Sequence, residues 1–511
     1  MTFPSAASVP EESLPRVRPR RLPTPRTSEL VGRGAQIGTV VARHFGPLAL
    51  RQLRHPRQGL LAPEAIARPM RLVYEELGGT FIKFGQVIAS SPGLFGEEVS
   101  DEFRSTLDTG PPVPFAEVRR VVEDTLGMDL EEAYAEFSRD PVGRASIAVV
   151  HRARLHDGRE VAVKVIRPGI EHLVATDIDL MAPLFELLAK QTGDQMAGST
   201  LQLLDGFRTQ IGEEMDLRNE ARSMAHFRRL NAEVDLPLIV VPEPYPELSG
   251  QNVLTMEFLD GVPIDDLARV AELGYDPAPL VEQVVRAFFV TVVRWGTFHG
   301  DIHAGNMLLL RDGRIGIIDW GIVGRLDHET HCFFLQLLSA VLGDEAAWTD
   351  ITRHLVKTYG PALQEAVAMD EEQLSAFIRD LITPILTKPF GEVSLATLMQ
   401  ATEAQVARAQ GYEARQRSLG SILRRLRHQR RIRKMADEAG GLETDFDRGN
   451  FLLGKQLMYF ERYGKLFLAD VPILNDRAFF ESLLAGAEAQ ALGRAGPPTL
   501  APPEPAPGPG G

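Results

Sequence analysis

One loop and one strand end constrain this chain more than anything else in it. The loop is His299-Gly300-Asp301-Ile302-His303-Ala304-Gly305-Asn306. The strand end is Ile318-Asp319-Trp320-Gly321, with Asp319 thirteen residues past Asn306. An Asp and an Asn five residues apart on a tight loop can divide two tasks. The Asp orients or deprotonates an attacking hydroxyl, and the Asn holds a magnesium ion. An Asp that ends an apolar strand before an aromatic and a Gly suits a carboxylate that bridges phosphates through Mg2+. Either carboxylate alone reads as a solvated loop residue or a turn cap. They stand in order around an apolar hairpin, Met307–Leu310 and Ile315–Ile318 joined by Arg311-Asp312-Gly313. Together they point to a site, with Asp301 as the catalytic carboxylate and Asn306 and Asp319 as metal ligands.

Val161-Ala162-Val163-Lys164 supplies a third part. A lysine inside an apolar strand is costly unless paired, and the run matches the kinase V-A-I-K pattern. Lys164 is therefore read as a phosphate-binding lysine rather than a snorkelling edge residue. Its partner is expected on the helical segment Glu213–Glu220; the spacing does not force a choice among three glutamates, and Glu220 is taken. Where a kinase places its GxGxxGxV loop, the register gives Gly143-Arg144-Ala145-Ser146-Ile147-Ala148-Val149-Val150. Ala145 and Ala148 put methyl groups where backbone should approach phosphates, so this is not a standard phosphate cradle. Gly143, Ala145, Ser146 and Val150 remain candidate nucleotide contacts. Thr255-Met256-Glu257-Phe258-Leu259 reads as a hinge, with Met256 behind an adenine and the backbone of Glu257 and Leu259 on its edge; any strand leading to a turn looks similar.

The rest of the chain is consistent with a soluble ATP-binding protein. Of 511 residues 44% are hydrophobic and 24% charged, and the formal charge of −14 argues against nucleic-acid binding. The single cysteine, Cys332, excludes an internal disulfide framework and a thiolate metal cluster, and a cytoplasmic setting is the simplest reading. No HExxH pair occurs. Residues 1–28 lack a signal-peptide core, and no apolar run reaches the ~18 residues of a membrane span. The apolar candidate Phe451–Leu468 is interrupted by Lys455, Glu461, Arg462 and Lys465. Alternation and turn signals predict an α+β, bilobal architecture, and the motifs above mark it as kinase-like. Its parts are a disordered basic arm (1–28), an N-terminal helical extension (29–140), a small lobe (141–262) and a large lobe (263–400). A helical C-terminal extension (401–485) and a disordered Pro/Ala/Gly tail (486–511) follow.

These residues resemble the UbiB (AarF) family of atypical kinase-like proteins over about Arg71–Leu342. Lys83-Phe84-Gly85-Gln86 is similar to the family's KxGQ signature. Ala145-Ser146-Ile147 looks like its alanine loop, and Glu214 and Asp216 like its ExD pair. The resemblance implies that the KxGQ helix covers the site, with Lys83 meeting Glu214 or Asp216 and Gln86 sharing in the gating. It also implies ATP and Mg2+ as cofactors and slow ATPase activity supporting isoprenoid quinone or other lipid metabolism at a membrane surface. Trp320 in place of the usual Phe, and Ala304 in place of the usual Pro, depart from the family pattern but leave every catalytic position filled.

Two other readings compete. HGDxHxxN followed by IDWG is also similar to small-molecule kinases, and a catalytically silent, ATP-switched scaffold would need the same site. His303 stands where protein kinases keep a lysine, and helical pattern resumes soon after Gly324, leaving little room for a peptide-docking segment. Two basic stretches are candidates for peripheral contact with an anionic membrane on its cytoplasmic face. One is residues 1–57, with ten arginines and an amphipathic Ile37–Leu53 carrying Val40, Val41, Phe45, Leu48 and Leu50. The other is Arg415–Lys434, with eight arginines and a lysine.

Overall fold

The structure, a computed structural model, describes residues 19–54, 63–89, 97–103, 110–192, 204, 206–234, 239–367, 369–392 and 448–491. The first described helices are α1 (Thr27–Arg54), α2 (Pro63–Leu77), α3 (Gly79–Ala89), α4 (Glu97–Phe103) and α5 (Phe115–Leu126). A four-stranded antiparallel sheet follows, in the order β1-β2-β3-β5: β1 (Glu136–Arg144), β2 (Ala148–Arg154), β3 (Glu160–Ile166) and β5 (Val253–Glu257). The turn between β2 and β3 needs Gly158, whose φ of +89° other residues avoid. Between β3 and β5 run α6 (Ile170–Thr192), α7 (Leu217–Val234) and β4 (Ile239–Val240).

β1 begins at Glu136, ahead of the small-lobe boundary expected at 141. Sequence alternation missed it because this edge strand buries almost none of its residues. An edge position also tolerates its Pro141, which a central strand would not. β4 departs from the expected grouping as well. It pairs in parallel with β9 (Ile315–Ile317), so it joins the sheet β4-β9-β8-β6 that carries the hairpin between the two motif loops, with β6 (Gly261–Pro263) and β8 (Met307–Leu310).

The second lobe is built on α8 (Pro277–Trp295). Asp276 caps it by accepting from Ala278 N, Pro277 occupies its first turn, and Gly296 ends it at φ +62°. A small ribbon of β7 (Thr297–His299) and β10 (Val323–Arg325) brackets the two motif loops. Helix α9 (His328–Val341) starts at once after β10, its N-cap Asp327 accepting from Thr330 N. No activation segment separates Gly321 from this helix. Then come α10 (Glu345–Val367), α11 (Glu371–Thr387), α12 (Arg448–Phe467) and α13 (Arg477–Ala491). α12 and α13 pack on α8 through Phe288–Phe460 and Phe289–Phe480 ring contacts at 5.0 and 5.2 Å.

The described part of the expected arm is tied down at Arg20. Arg20 N donates to Gly212 O at 2.8 Å and Arg20 Nη1 to Asn252 Oδ1 at 2.7 Å. Farther on, Arg33 clips α1 to α6 with bonds of 2.7 and 3.1 Å to the buried Asp177. α1 also spends part of its apolar face on the protein itself. Val40 is 4% exposed, and Ile37 and Phe45 pack against the same core, which leaves Val31, Val41 and Leu50 outward. The expectation that Val40 and Phe45 enter lipid is corrected accordingly. Arg415–Lys434 lies outside the described residues. Among the described residues no helix is long and apolar enough to cross a membrane.

Candidate active site

Lys164 sits mid-strand in β3, directly opposite Val150 of β2, so both point to one face of the sheet. Its ammonium ends between two carboxylates. Nζ lies 2.9 and 2.8 Å from the oxygens of Glu220 and 3.3 Å from Asp319 Oδ2. Burial works against the charge on Lys164, but Asp319 and Glu220 outweigh it and raise its pKa. Glu220, in the first turn of α7, is buried and also accepts from Trp320 N at 3.3 Å. One helix glutamate thus joins the strand lysine to the Asp319 loop.

The loop from His299 to Asn306 and the Asp319 loop are fastened through His299. Asp301 N donates to His299 Nδ1 at 3.1 Å, so Nε2 carries the proton and donates to the Asp319 carbonyl. Burial lowers this imidazole to about 4, which keeps it neutral. Asn306 Nδ2 donates to Asp301 O at 3.0 Å, and Gly321 N donates to Asp319 Oδ1 at 3.0 Å. Burial pushes the Asp301 carboxyl up, yet Lys455, His303 and Lys83 outweigh it and hold it at about 2.

The N-terminal extension reaches the same place. Lys83 Nζ of α3 lies 2.8 Å from Glu214 Oε2, and both side chains are nearly buried. Glu214 also accepts from Gln210 Nε2 at 3.1 Å. Asp216, the other acid of that pair, instead takes Arg218 at 2.8 and 2.6 Å. Gln86 is half-buried on the same helix. The glycine of the motif has a packing cause: a Cβ on Gly85 would stand 3.0 Å from the Phe103 ring. Gly321 is confined likewise, its missing Cβ falling 3.2 Å from Asp319 Oδ1 and 3.7 Å from Glu214.

The alanine loop is held back. Arg167, just past β3, donates through Nε to Ala145 O at 2.9 Å and through Nη1 to Pro111 O at 2.5 Å. Ala145 N donates to Ala148 O at 2.9 Å. A Cβ on Gly110 would collide with both Arg167 and the Ala145 carbonyl, so the chain passes here only as glycine. Ser146 is buried, and Gly143 lies on β1 opposite Val150. On the far side Met256 is buried in β5, and Glu257 N already donates to Glu243 O at 2.8 Å. Leu259 is buried against the position of Gly316.

The donor set suits a hard divalent cation that arrives with its own oxygen ligands. Asn306 commits its nitrogen to Asp301, leaving the amide oxygen as its ligand, and the Asp319 side chain is 41% exposed. No group of three or more His, Cys, Asp or Glu side chains suited to a metal occurs among the described residues. Mg2+ held by one or two protein oxygens plus phosphates fits this arrangement, and a dedicated protein cage does not.

Sequence reasoning missed the contribution of α12. Lys455 Nζ lies 2.6 Å from Asp301 Oδ1. Gln456 Oε1 accepts from Ile302 N at 2.8 Å, and Tyr463 Oη accepts from Ala304 N at 2.6 Å. The signal available was a lysine and a glutamine on the apolar face of a helix with period-3.6 spacing. It had no partner nearby in the chain to give it meaning.

A family profile for the ABC1 atypical kinase-like domain matches residues 105–351. An uncharacterized, chloroplastic aarF domain-containing protein kinase of Arabidopsis thaliana is 33% identical over 427 residues, 82% of this chain and 74% of the relative. The uncharacterized protein Rv0647c of Mycobacterium tuberculosis is 32% identical over 464 residues, covering 89% of this chain and 84% of its own. A probable protein kinase UbiB of Cellvibrio japonicus is 33% identical over 337 residues, 65% of this chain and 59% of that protein.

Proposed function

Because this chain belongs to the UbiB (aarF) family of ABC1 atypical kinase-like proteins, we propose that it binds Mg-ATP and turns it over slowly in support of isoprenoid quinone or other lipid metabolism at a membrane surface. The observation that carries this reading is Lys164 held between Glu220 and Asp319, with Asp301 and Asn306 on the adjoining loop. In the proposed arrangement Lys164 steadies the phosphates and Asn306 and Asp319 hold Mg2+, which neutralises their charge. Asp301 orients the attacking oxygen. Lys83 and Gln86 gate the space beside it, where a peptide acceptor would otherwise lie. That gating, together with the direct passage from β10 into α9, supports ATP hydrolysis over phosphorylation of proteins. The lipid role rests on the UbiB names of relatives.

Asp319→Asn removes a charge from the metal side of the site and is expected to abolish the Mg-ATP-dependent rise in thermal midpoint. Survival of that rise would show that the nucleotide site lies elsewhere. Turnover by the wild-type protein, measured with and without anionic vesicles and a quinone-like phenol, is expected to rise when both are present. Rates indifferent to both would remove the lipid half of the reading.

A further inference from the structure

Asp301 takes its cation from outside the two lobes. Lys455 Nζ is 2.6 Å from Asp301 Oδ1, and the lysine side chain is 9% exposed. Its neighbours on α12 explain how it is held there. Leu452, Lys455, Gln456, Tyr459 and Tyr463 follow the spacing of one helical face. That face lies on the catalytic loop. Leu452 packs 3.3 Å from where a Gly300 Cβ would be. Gln456 takes both backbone groups of Ile302, at 2.8 and 3.2 Å, and Tyr463 takes Ala304 N. The Tyr459 ring stands 5.6 Å from Lys455 Nζ and 6.1 Å from the His303 ring. Within the loop itself, His303 spends Nδ1 on Gly305 N at 3.1 Å. Lys83, the other cation near Asp301, is engaged with Glu214.

We propose that Lys455 is the positioning residue for Asp301 in ATP turnover, and that α12 is a template completing the catalytic loop from the C-terminal extension. The role rests on the turnover reading above. With Oδ1 held by the ammonium, Oδ2 is the atom left to orient the attacking oxygen. The ammonium also offsets a carboxylate that would otherwise face the phosphates with the same sign as Asp319. Placement of this carboxylate matters to the transition state and little to ground-state nucleotide binding, which other groups supply.

The test compares full-length wild type with Lys455→Met, Lys455→Gln and Lys455→Arg, reading ATP turnover and the thermal shift given by Mg-ATP. Both neutral variants are expected to keep the thermal shift and to lose about ten- to hundredfold in kcat, with KM for ATP moving less than about threefold. Lys455→Arg, which keeps the charge, is expected to recover turnover above both. If Lys455→Met does not fold, Lys455→Gln keeps a hydrogen-bonding group beside Asp301 without the charge and decides the matter. A neutral variant with kcat within about twofold of wild type overturns the proposal, and so does a loss carried by KM. Wild type that binds Mg-ATP without turning it over overturns the turnover reading and this role with it. Wild-type turnover with unchanged variants overturns Lys455 alone.

Discussion

α3 and α12 come from opposite ends of the chain and do the same thing by different means. Each delivers a lysine to a carboxylate of the site: Lys83 to Glu214 at 2.8 Å, Lys455 to Asp301 at 2.6 Å. Each also uses a glycine to come close to an aromatic ring, Gly85 against Phe103 and Gly464 against Phe390. They differ in what they hold besides. Glu214 keeps a second partner in Gln210, whereas the Asp301 carboxylate has Lys455 as its one ion-pair partner among the described residues. α12 further grips the loop backbone through Gln456 and Tyr463. A motif that is legible in sequence therefore marks the less exclusive of the two contacts.

The largest effect expected from this difference is on stability. Lys455→Met leaves a nearly buried carboxylate without its cation and is expected to cost about 3–5 kcal/mol, the range for breaking a buried pair. Lys83→Met leaves Glu214 hydrogen-bonded and is expected to cost about 1–3 kcal/mol. Urea unfolding of both variants checks the order; equal losses, or a larger one at Lys83, would break the comparison.

The acid side of the stability curve sharpens it. Asp301 sits at about 2 in the folded protein against an ordinary 3.8. A depressed carboxylate gives stability that is complete above its ordinary value and is lost as pH falls through the folded one. Lys455→Met removes the nearest of the three cations that hold Asp301 down, so its penalty is expected to be largest near neutral pH and to shrink as pH falls towards the folded value of about 2. Unfolding midpoints at about pH 6 and about pH 3 suffice. A penalty that does not change between them would mean that the ammonium is not what holds Asp301 ionised.

The two glycines give the smallest expected effects. A Cβ at Gly464 would fall 2.1 Å from the ring of Phe390, which is itself buried, so Gly464→Ala must displace α12 or the ring. Overpacking of this kind costs about 1–3 kcal/mol. Gly85→Ala meets Phe103 at 3.0 Å, which a slight shift relieves, and is expected to cost under about 1 kcal/mol. Thermal midpoints of the two variants rank them, and a reversed order would show that α3 is the more tightly fitted helix.

The amino-acid sequence alone determined the parts whose cause is local. β3 with Lys164, the hairpin between β8 and β9, and the turn at Gly158 all follow from alternation and turn chemistry over a few residues. Lys83-Phe84-Gly85-Gln86 and the helix carrying Glu220 were legible because each lies within one or two turns. Tertiary structure decided which groups meet: Glu220 rather than another glutamate at Lys164, Arg218 rather than Lys83 at Asp216, Arg167 across the alanine loop, and Lys455 at Asp301. It also turned Val40 inward and drew β1 out of a stretch with almost no buried residues. The physical reason is that strand and helix periods are written in neighbouring side chains. A buried charge, by contrast, is satisfied by whichever partner the packing brings within about 3 Å, and that partner leaves no periodic trace in the chain.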